Sequence, residues 1–273
     1  MEIHFSKLYE NGNDFIVIDE REHIVIPDEM KGQFAAIYCD RRFGIGADGV
    51  IFVMKSKKSD LRMRLFQRDE SEAVMCGNGI RCIAKYAYDA GYVKETCTIE
   101  TMAGSFGISM GYSEDIFIAA ITMAPPKFDR KEIPATGSGD YKETIEGFEV
   151  YAVNTGAPHA VVIVDAVDAV DLASVAPKIR HHETFPEGAN VNFVERTGPD
   201  SIRIRTFELG VEDETLSCGT GATASAAVVH KLGLAGDVVE VETRGGPLTI
   251  TLKDGGAKME GPAATVYTGI IAC

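Results

Sequence analysis

Two cysteines sit in the same short phrase. The first reads Met75-Cys76-Gly77-Asn78-Gly79, and about half a chain later comes Ser217-Cys218-Gly219-Thr220-Gly221. Glycines around a cysteine permit a tight turn and a close backbone approach to a ligand. If the residues that follow open a helix, its unpaired N–H groups and positive dipole end point at the loop and suit a carboxylate. The same field lowers a thiol's pKa from about 8.5 towards neutrality. One such loop suits a cysteine nucleophile, or is simply a turn with a buried cysteine. Two of them, one from each half and facing each other, suit inversion of a carbon bearing a carboxylate: a thiolate removes the proton from one face and a thiol supplies one to the other. Converging N–H groups would stabilise charge as the carbon flattens.

The elements that must position these loops are duplicated too. Leu61-Arg62-Met63-Arg64-Leu65-Phe66 alternates apolar and charged residues, the mark of a half-buried strand, and Ile202-Arg203-Ile204-Arg205-Thr206-Phe207 does the same before the second cysteine. Each runs into an acidic loop, with Asp69, Glu70 and Glu72 in one and Glu208, Glu212, Asp213 and Glu214 in the other. Helix-like runs follow, Ile80 to Ala90 and Ala222 to Leu232, the second closed by Gly233. Gly12-Asn13-Asp14-Phe15-Ile16-Val17-Ile18-Asp19 is echoed by Gly156-Ala157-Pro158-His159-Ala160-Val161-Val162-Ile163. Further strands are expected at Val50 to Met54, Thr98 to Thr101, Phe106 to Met110, Ile116 to Met123, Val238 to Thr243 and Leu248 to Leu252. The stretch from Met123 to Tyr141, with Pro125, Pro126, Pro134 and a Gly-Ser-Gly, reads as the crossing between halves. The expectation is an α+β fold of two similar, pseudo-symmetric domains, residues 1–122 with 264–273 and residues 123–263. Each would be a strand-rich body wrapped around a central helix, with the active site in the cleft between them.

Composition narrows the partners. The 273 residues carry a net charge of −14, which disfavours nucleic acid. The most apolar stretch, near Ala160 to Val170, is interrupted by Asp165 and Asp168, so no membrane span is expected, and Met1-Glu2-Ile3-His4-Phe5 is unlike a signal peptide. A cytoplasmic enzyme acting on a small molecule is the default. Six cysteines without a Cys-x-x-Cys pair argue against both a disulfide framework and zinc, and Cys39, Cys97 and Cys273 read as small buried apolar residues. Gly44-x-Gly46-x-x-Gly49 has dinucleotide-fingerprint spacing, but Asp40-Arg41-Arg42 precedes it and a strand pattern follows, so no nicotinamide cofactor is expected. His159 and Glu208 are polar residues near these elements that could be merely structural or functional.

With those motifs in view, the sequence resembles the diaminopimelate epimerases over essentially its whole length. The resemblance rests on Gly12-Asn13-Asp14-Phe15, Gly44 to Gly49, Met75 to Cys82, Asn154-Thr155-Gly156-Ala157-Pro158-His159 and Glu208 to Gly221. It implies an enzyme independent of pyridoxal phosphate or any other cofactor, with no metal, that converts L,L-2,6-diaminopimelate to the meso isomer on the route to lysine. It implies Cys76 and Cys218 as catalytic bases, with His159 and Glu208 holding their proton balance. Gly77, Asn78, Gly219 and Thr220 would hold the reacting carboxylate, Asn13 would lie near the reacting amine, and Asn190 towards the distal end. The last strand, near Thr265 to Ile271, would fold back onto the first domain. The partner expected is the amino-acid substrate, with a second copy of the chain, as a homodimer, left open. Three positions, all expected to contact the non-reacting end of the substrate, depart from the family pattern: Leu209 stands where an arginine is usual, and Gln67 and Ala157 where asparagines are found. Losing a bidentate guanidinium from a buried carboxylate costs about 2–5 kcal/mol unless another cation, such as Arg68, replaces it. A racemase or epimerase for another amino acid, such as histidine or a shorter diamino acid, is the alternative these departures raise.

Overall fold

The structure, a computed structural model, describes residues 2–272, so Cys273 lies outside the described residues. The chain divides into two units. One runs to Ile121 and resumes at Gly261; the other is Thr122–Glu260.

In the first unit, β1 (Glu2–Glu10) and β2 (Asn13–Asp19) form a hairpin. β3 (Gly49–Met54) runs parallel to β2, and β4 (Leu61–Gln67) returns antiparallel to β3. After the short β5 (Glu72–Ala73), β6 (Thr96–Thr101) runs parallel to β4, and β7 (Gly104–Ser113) and β8 (Ile116–Met123) continue as a meander. The second unit repeats the plan. β9 (Lys142–Ile145) borders β10 (Phe148–Asn154), which hairpins into β11 (Pro158–Val164). β12 (Asn190–Arg196) runs parallel to β11, β13 (Ser201–Glu208) returns antiparallel, and β14 (Asp213–Thr215) caps it. β15 (Val238–Thr243) lies parallel to β13, followed by β16 (Gly246–Lys253) and β17 (Gly256–Pro262). The last strand, β18 (Ala264–Ala272), pairs antiparallel with β1, as β9 does with β10.

Each sheet wraps one 13-residue helix, α2 (Gly77–Asp89) or α4 (Gly219–Lys231). α2 is buried without a break from Asn78 to Lys85, and α4 from Gly221 to Val229. α4, hidden on every side along that run, shows no clear amphipathic stripe. Small residues let strands approach α4 on all faces, and its polar side chains turn inward: Thr223 Oγ1 donates to Gly219 O at 2.9 Å and Ser225 Oγ to Gly221 O at 2.8 Å. Two shorter helices, α1 (Lys31–Tyr38) and α3 (Leu172–Arg180), cover the outer faces of β3 and β12. Phe34 and Ala35 pack there with Val50, Phe52 and Phe66, and Ala176 and Ile179 with Val191 and Phe193.

The two cysteine-led helices begin at Gly77 and Gly219, earlier than the apolar runs suggest, because the glycines form the first turn rather than a preceding loop. The glycine triplet of residues 44–49 leads into β3, not into a helix, with Gly46 at φ 79° bonding back to Tyr38 O.

Candidate active site

Each cysteine is the N-cap of its helix, in extended backbone: Cys76 at φ −147° and ψ 113°, Cys218 at φ −129° and ψ 110°. That conformation aims each sulfur across the open N–H end of the helix. The surroundings of the two sulfurs differ sharply.

Cys76 is partly exposed, and its sulfur accepts from the Gly79 N–H at 3.4 Å. Burial raises its thiol pKa; the Gly79 N–H and the Arg81 guanidinium pull the other way, while Glu10 adds to the rise. Beneath this loop lies a fully buried ion pair, Arg81 with Glu10, at 2.5 Å. Burial raises the Glu10 carboxyl and Arg81 opposes it. Arg81 also donates to Asn78 Oδ1 at 2.7 Å, Asn78 Nδ2 donates to Asn13 Oδ1 at 2.7 Å, and Asn13 Nδ2 donates to Asp48 at 2.9 Å. Two of the residues expected near substrate, Asn13 and Asn78, are therefore joined and given a fixed orientation by a charge pair. Gln67 is not drawn in; its exposed amide reaches Ser71 Oγ at 3.3 Å.

Cys218 is buried, and its thiol is pushed up to about 12 by burial, with the Glu208 charge adding to the rise. The Thr220 hydroxyl, 3.4 Å from the sulfur, and the N–H groups of Thr220 and Gly221 pull down. The same Thr220 oxygen lies 2.9 Å from His159 Nε2. His159 is wholly buried, and burial lowers its pKa to about 3, so the ring is neutral at ordinary pH. Its Nδ1 faces Asn192 Nδ2 at 3.0 Å; Asn192 Oδ1 accepts from Thr206 Oγ1 at 2.9 Å. Gly221 lies against Asn192 so closely that a Cβ there would collide with Oδ1. Glu208, half-buried at the end of β13, has its carboxyl raised by burial. Asn190 is committed to the backbone: it donates to Pro158 O at 3.0 Å and accepts from Leu209 N at 2.8 Å. Leu209 and Ala157 are both half-buried.

Cys218, Thr220 and His159 thus form one connected chain, with Glu208 near enough for its charge to reach the sulfur. Sequence reasoning missed Asn192, Thr206, Arg81 and Glu10. A polar residue at an inward position of an otherwise apolar strand, as in Val191-Asn192-Phe193-Val194, was the available signal for Asn192; nothing local marks Glu10 as the partner of Arg81. Cys39, Cys82 and Cys97 are buried, the first and last with thiols raised by burial to about 12. Among the described residues no group of three or more His, Cys, Asp and Glu is placed to hold a metal ion.

The sequence profile of the family described as "Diaminopimelate epimerase" matches residues 5–126 and 151–269. A protein named diaminopimelate epimerase from Methanothrix thermoacetophila is 53% identical over 271 residues, covering 99% of this chain and 96% of its own. One of the same name from Methanocella arvoryzae is 52% identical over 272 residues, covering 98% of this chain and 96% of its own. Among solved structures, a phenazine biosynthesis protein of the PhzF family from Bacillus anthracis shares the fold, with a TM-score of 0.72 at 19% identity and full coverage of both chains.

Proposed function

Because the chain belongs to the diaminopimelate epimerase family, we propose that it inverts one α-carbon of 2,6-diaminopimelate, taking the L,L isomer to the meso isomer in lysine biosynthesis, with Cys76 and Cys218 as the acid–base pair and no cofactor. The observation that carries this reading is the paired one: in two units of the same plan, a Cys-Gly-x-Gly caps a buried helix, and identity to the named relatives runs through both halves. That breadth of identity does not favour another amino acid as substrate.

In the proposed step, the thiolate on one face takes the α-proton, forming an S–H bond. The electrons of the broken C–H bond delocalise into the carboxylate as the carbon flattens. The thiol on the other face then gives its proton to the carbon, leaving that sulfur as thiolate and the two roles exchanged. N–H groups at the starts of α2 and α4, those of Gly77, Asn78, Gly219 and Thr220, suit the carboxylate whose charge grows. His159 and Glu208 act on the Cys218 side, where their distances and charge bear on the sulfur. The distal carboxylate must be met without a guanidinium at position 209, and Arg68, next to Gln67 at the matching register of the first unit, is the candidate. A cytoplasmic location, a small amino-acid substrate as the ligand, and a homodimer as the assembly to test complete the reading. No helix among the described residues is long and apolar enough to cross a membrane.

The test is incubation with L,L-diaminopimelate in deuterated water without added cofactor. Deuterium should appear at one α-carbon together with the meso isomer; exchange into histidine or a shorter diamino acid, with none into diaminopimelate, would overturn the assignment.

A further inference from the structure

The direction of every hydrogen bond behind Cys218 can be fixed from one backbone carbonyl. Ala160 O can only accept, and Asn192 Nδ2 lies 3.3 Å from it, so the NH₂ end of that amide faces Ala160 and the oxygen end takes the Thr206 hydroxyl. The second N–H of Asn192 then meets His159 Nδ1 at 3.0 Å, which must present its lone pair. A neutral imidazole with a bare Nδ1 carries its proton on Nε2. That Nε2–H donates to Thr220 Oγ1 at 2.9 Å, and the Thr220 hydroxyl hydrogen is left to point at Cys218 Sγ, 3.4 Å away.

We propose that Asn192 is a positioning residue that holds His159 as the Nε2–H tautomer, so that His159 supports the Cys218 thiolate as a donor through Thr220 and does not accept its proton. This rests on the reading of Cys218 as an acid–base residue. An asparagine against Nδ1 imposes the tautomer opposite to the one a carboxylate there would select, and that opposite tautomer cannot act as a base at Nε2. A hydrogen bond to the charged form favours that form, so the relay works against the burial and the Glu208 charge that raise the thiol. The groups facing the sulfur are Glu208 from β13, the neutral His159 from β11 through Thr220, and the N–H groups of the first turn of α4. The strand floor behind Cys76 is built differently. Strand register puts Phe15, Ile51 and Leu65 where the second unit has His159, Asn192 and Thr206.

The experiment uses the full-length, substrate-free protein labelled with ¹⁵N-histidine. Long-range ¹⁵N–¹H correlation, with the His159 signals identified by their loss in His159→Gln, should show the proton on Nε2 throughout the neutral range; a proton on Nδ1 overturns the proposal. The second readout is the rate of Cys218 alkylation by iodoacetamide at one fixed, mildly alkaline pH, followed by peptide mass spectrometry. Thr220→Val should slow it about 10–100-fold, and Thr220→Ser should restore it. His159→Gln, whose amide N–H can stand in for Nε2–H, should keep it within about threefold. A loss in His159→Gln as large as in Thr220→Val would overturn the donor role. Asn192→Leu should lower Nε2–H occupancy and slow alkylation; if it does not fold, the wild-type tautomer and His159→Gln still decide. Neither readout uses turnover, so an intact relay in a protein that does not epimerise diaminopimelate would sink the functional reading and leave this one standing.

Discussion

The two units share a strand plan and a capped, buried helix, yet the floors beneath their cysteines have diverged. Under Cys76 the strands offer Phe15, Ile51 and Leu65, and polarity enters from a buried charge pair, Glu10 with Arg81, reaching Asn78 and Asn13. Under Cys218 the same strand positions are His159, Asn192 and Thr206, a neutral hydrogen-bonded chain, while the helix position matching Arg81 is Thr223, bonded to its own helix. Duplication has kept what a helix N-terminus supplies to any carboxylate and has varied what sets each thiol's proton affinity. A reaction that treats two faces of one carbon alike needs the first to be symmetric. The second need not be, since each sulfur has its own burial and its own neighbours to offset.

The largest expected effect falls on both sides equally. Cys76→Ala or Cys218→Ala should each lower epimerisation by about 10²–10⁴-fold or more, the range for losing a positioned acid or base. Following deuterium into substrate separates removal of the proton from its return. Full turnover by either single variant would end the two-base reading. Next is stability, where the halves should part. Arg81→Ala strands Glu10 at 0% side-chain exposure and should lower unfolding free energy by about 3–5 kcal/mol in a urea titration. Thr223→Val, at the matching position, should change it by less than about 1 kcal/mol, since only a local bond to Gly219 O is lost. Equal effects would mean that the charge pair is not what distinguishes the first unit.

In the second unit, His159 gives stability a pH dependence of its own. His159 has its pKa lowered to about 3 when folded, so below its ordinary value of about 6.5 the unfolded chain takes up a proton that the folded chain refuses. This contribution is fully present above about pH 6.5 and is lost as pH falls towards 3, at up to about 1.4 kcal/mol per unit. Between pH 7 and pH 5 the wild type should therefore lose about 2 kcal/mol more than His159→Gln does. Parallel losses in the two proteins would show that the ring is not held neutral.

Much of this was legible in the chain, for a physical reason: repetition. The alternating strands at 61–66 and 202–207, and the two cysteine phrases after them, mark the central hairpin and helix of each unit because their patterning is local. α1 and α3 escaped because neither advertises itself: α1 lacks a clear apolar stripe, and α3 carries Pro177 within it. The pairing of β18 with β1 came through resemblance, since no local pattern encodes a partner at the other end of the chain. The site divides the same way. Cys76, Cys218, Asn78 and Thr220 stand in phrases, whereas Arg81 with Glu10, and Asn192 with His159, meet only once the sheet has closed around the helix.

The smallest effect is expected where the two units share a register position but not an environment. Gln67 ends β4 as Glu208 ends β13, each beside its short capping strand. Glu208 is half-buried with a raised carboxyl and acts on the Cys218 thiol through its charge. Gln67 is exposed and uncharged, and its side-chain amide reaches Ser71 Oγ. Gln67→Asn should therefore leave stability within about 0.5 kcal/mol, as exposed substitutions generally do. It should leave kcat unchanged and move KM for diaminopimelate no more than about threefold, the scale of a lost methylene or a weak polar contact. A fall in kcat without a change in KM would place Gln67 at the reacting carbon, and the first unit would then have a polar partner for its thiol at the position matching Glu208.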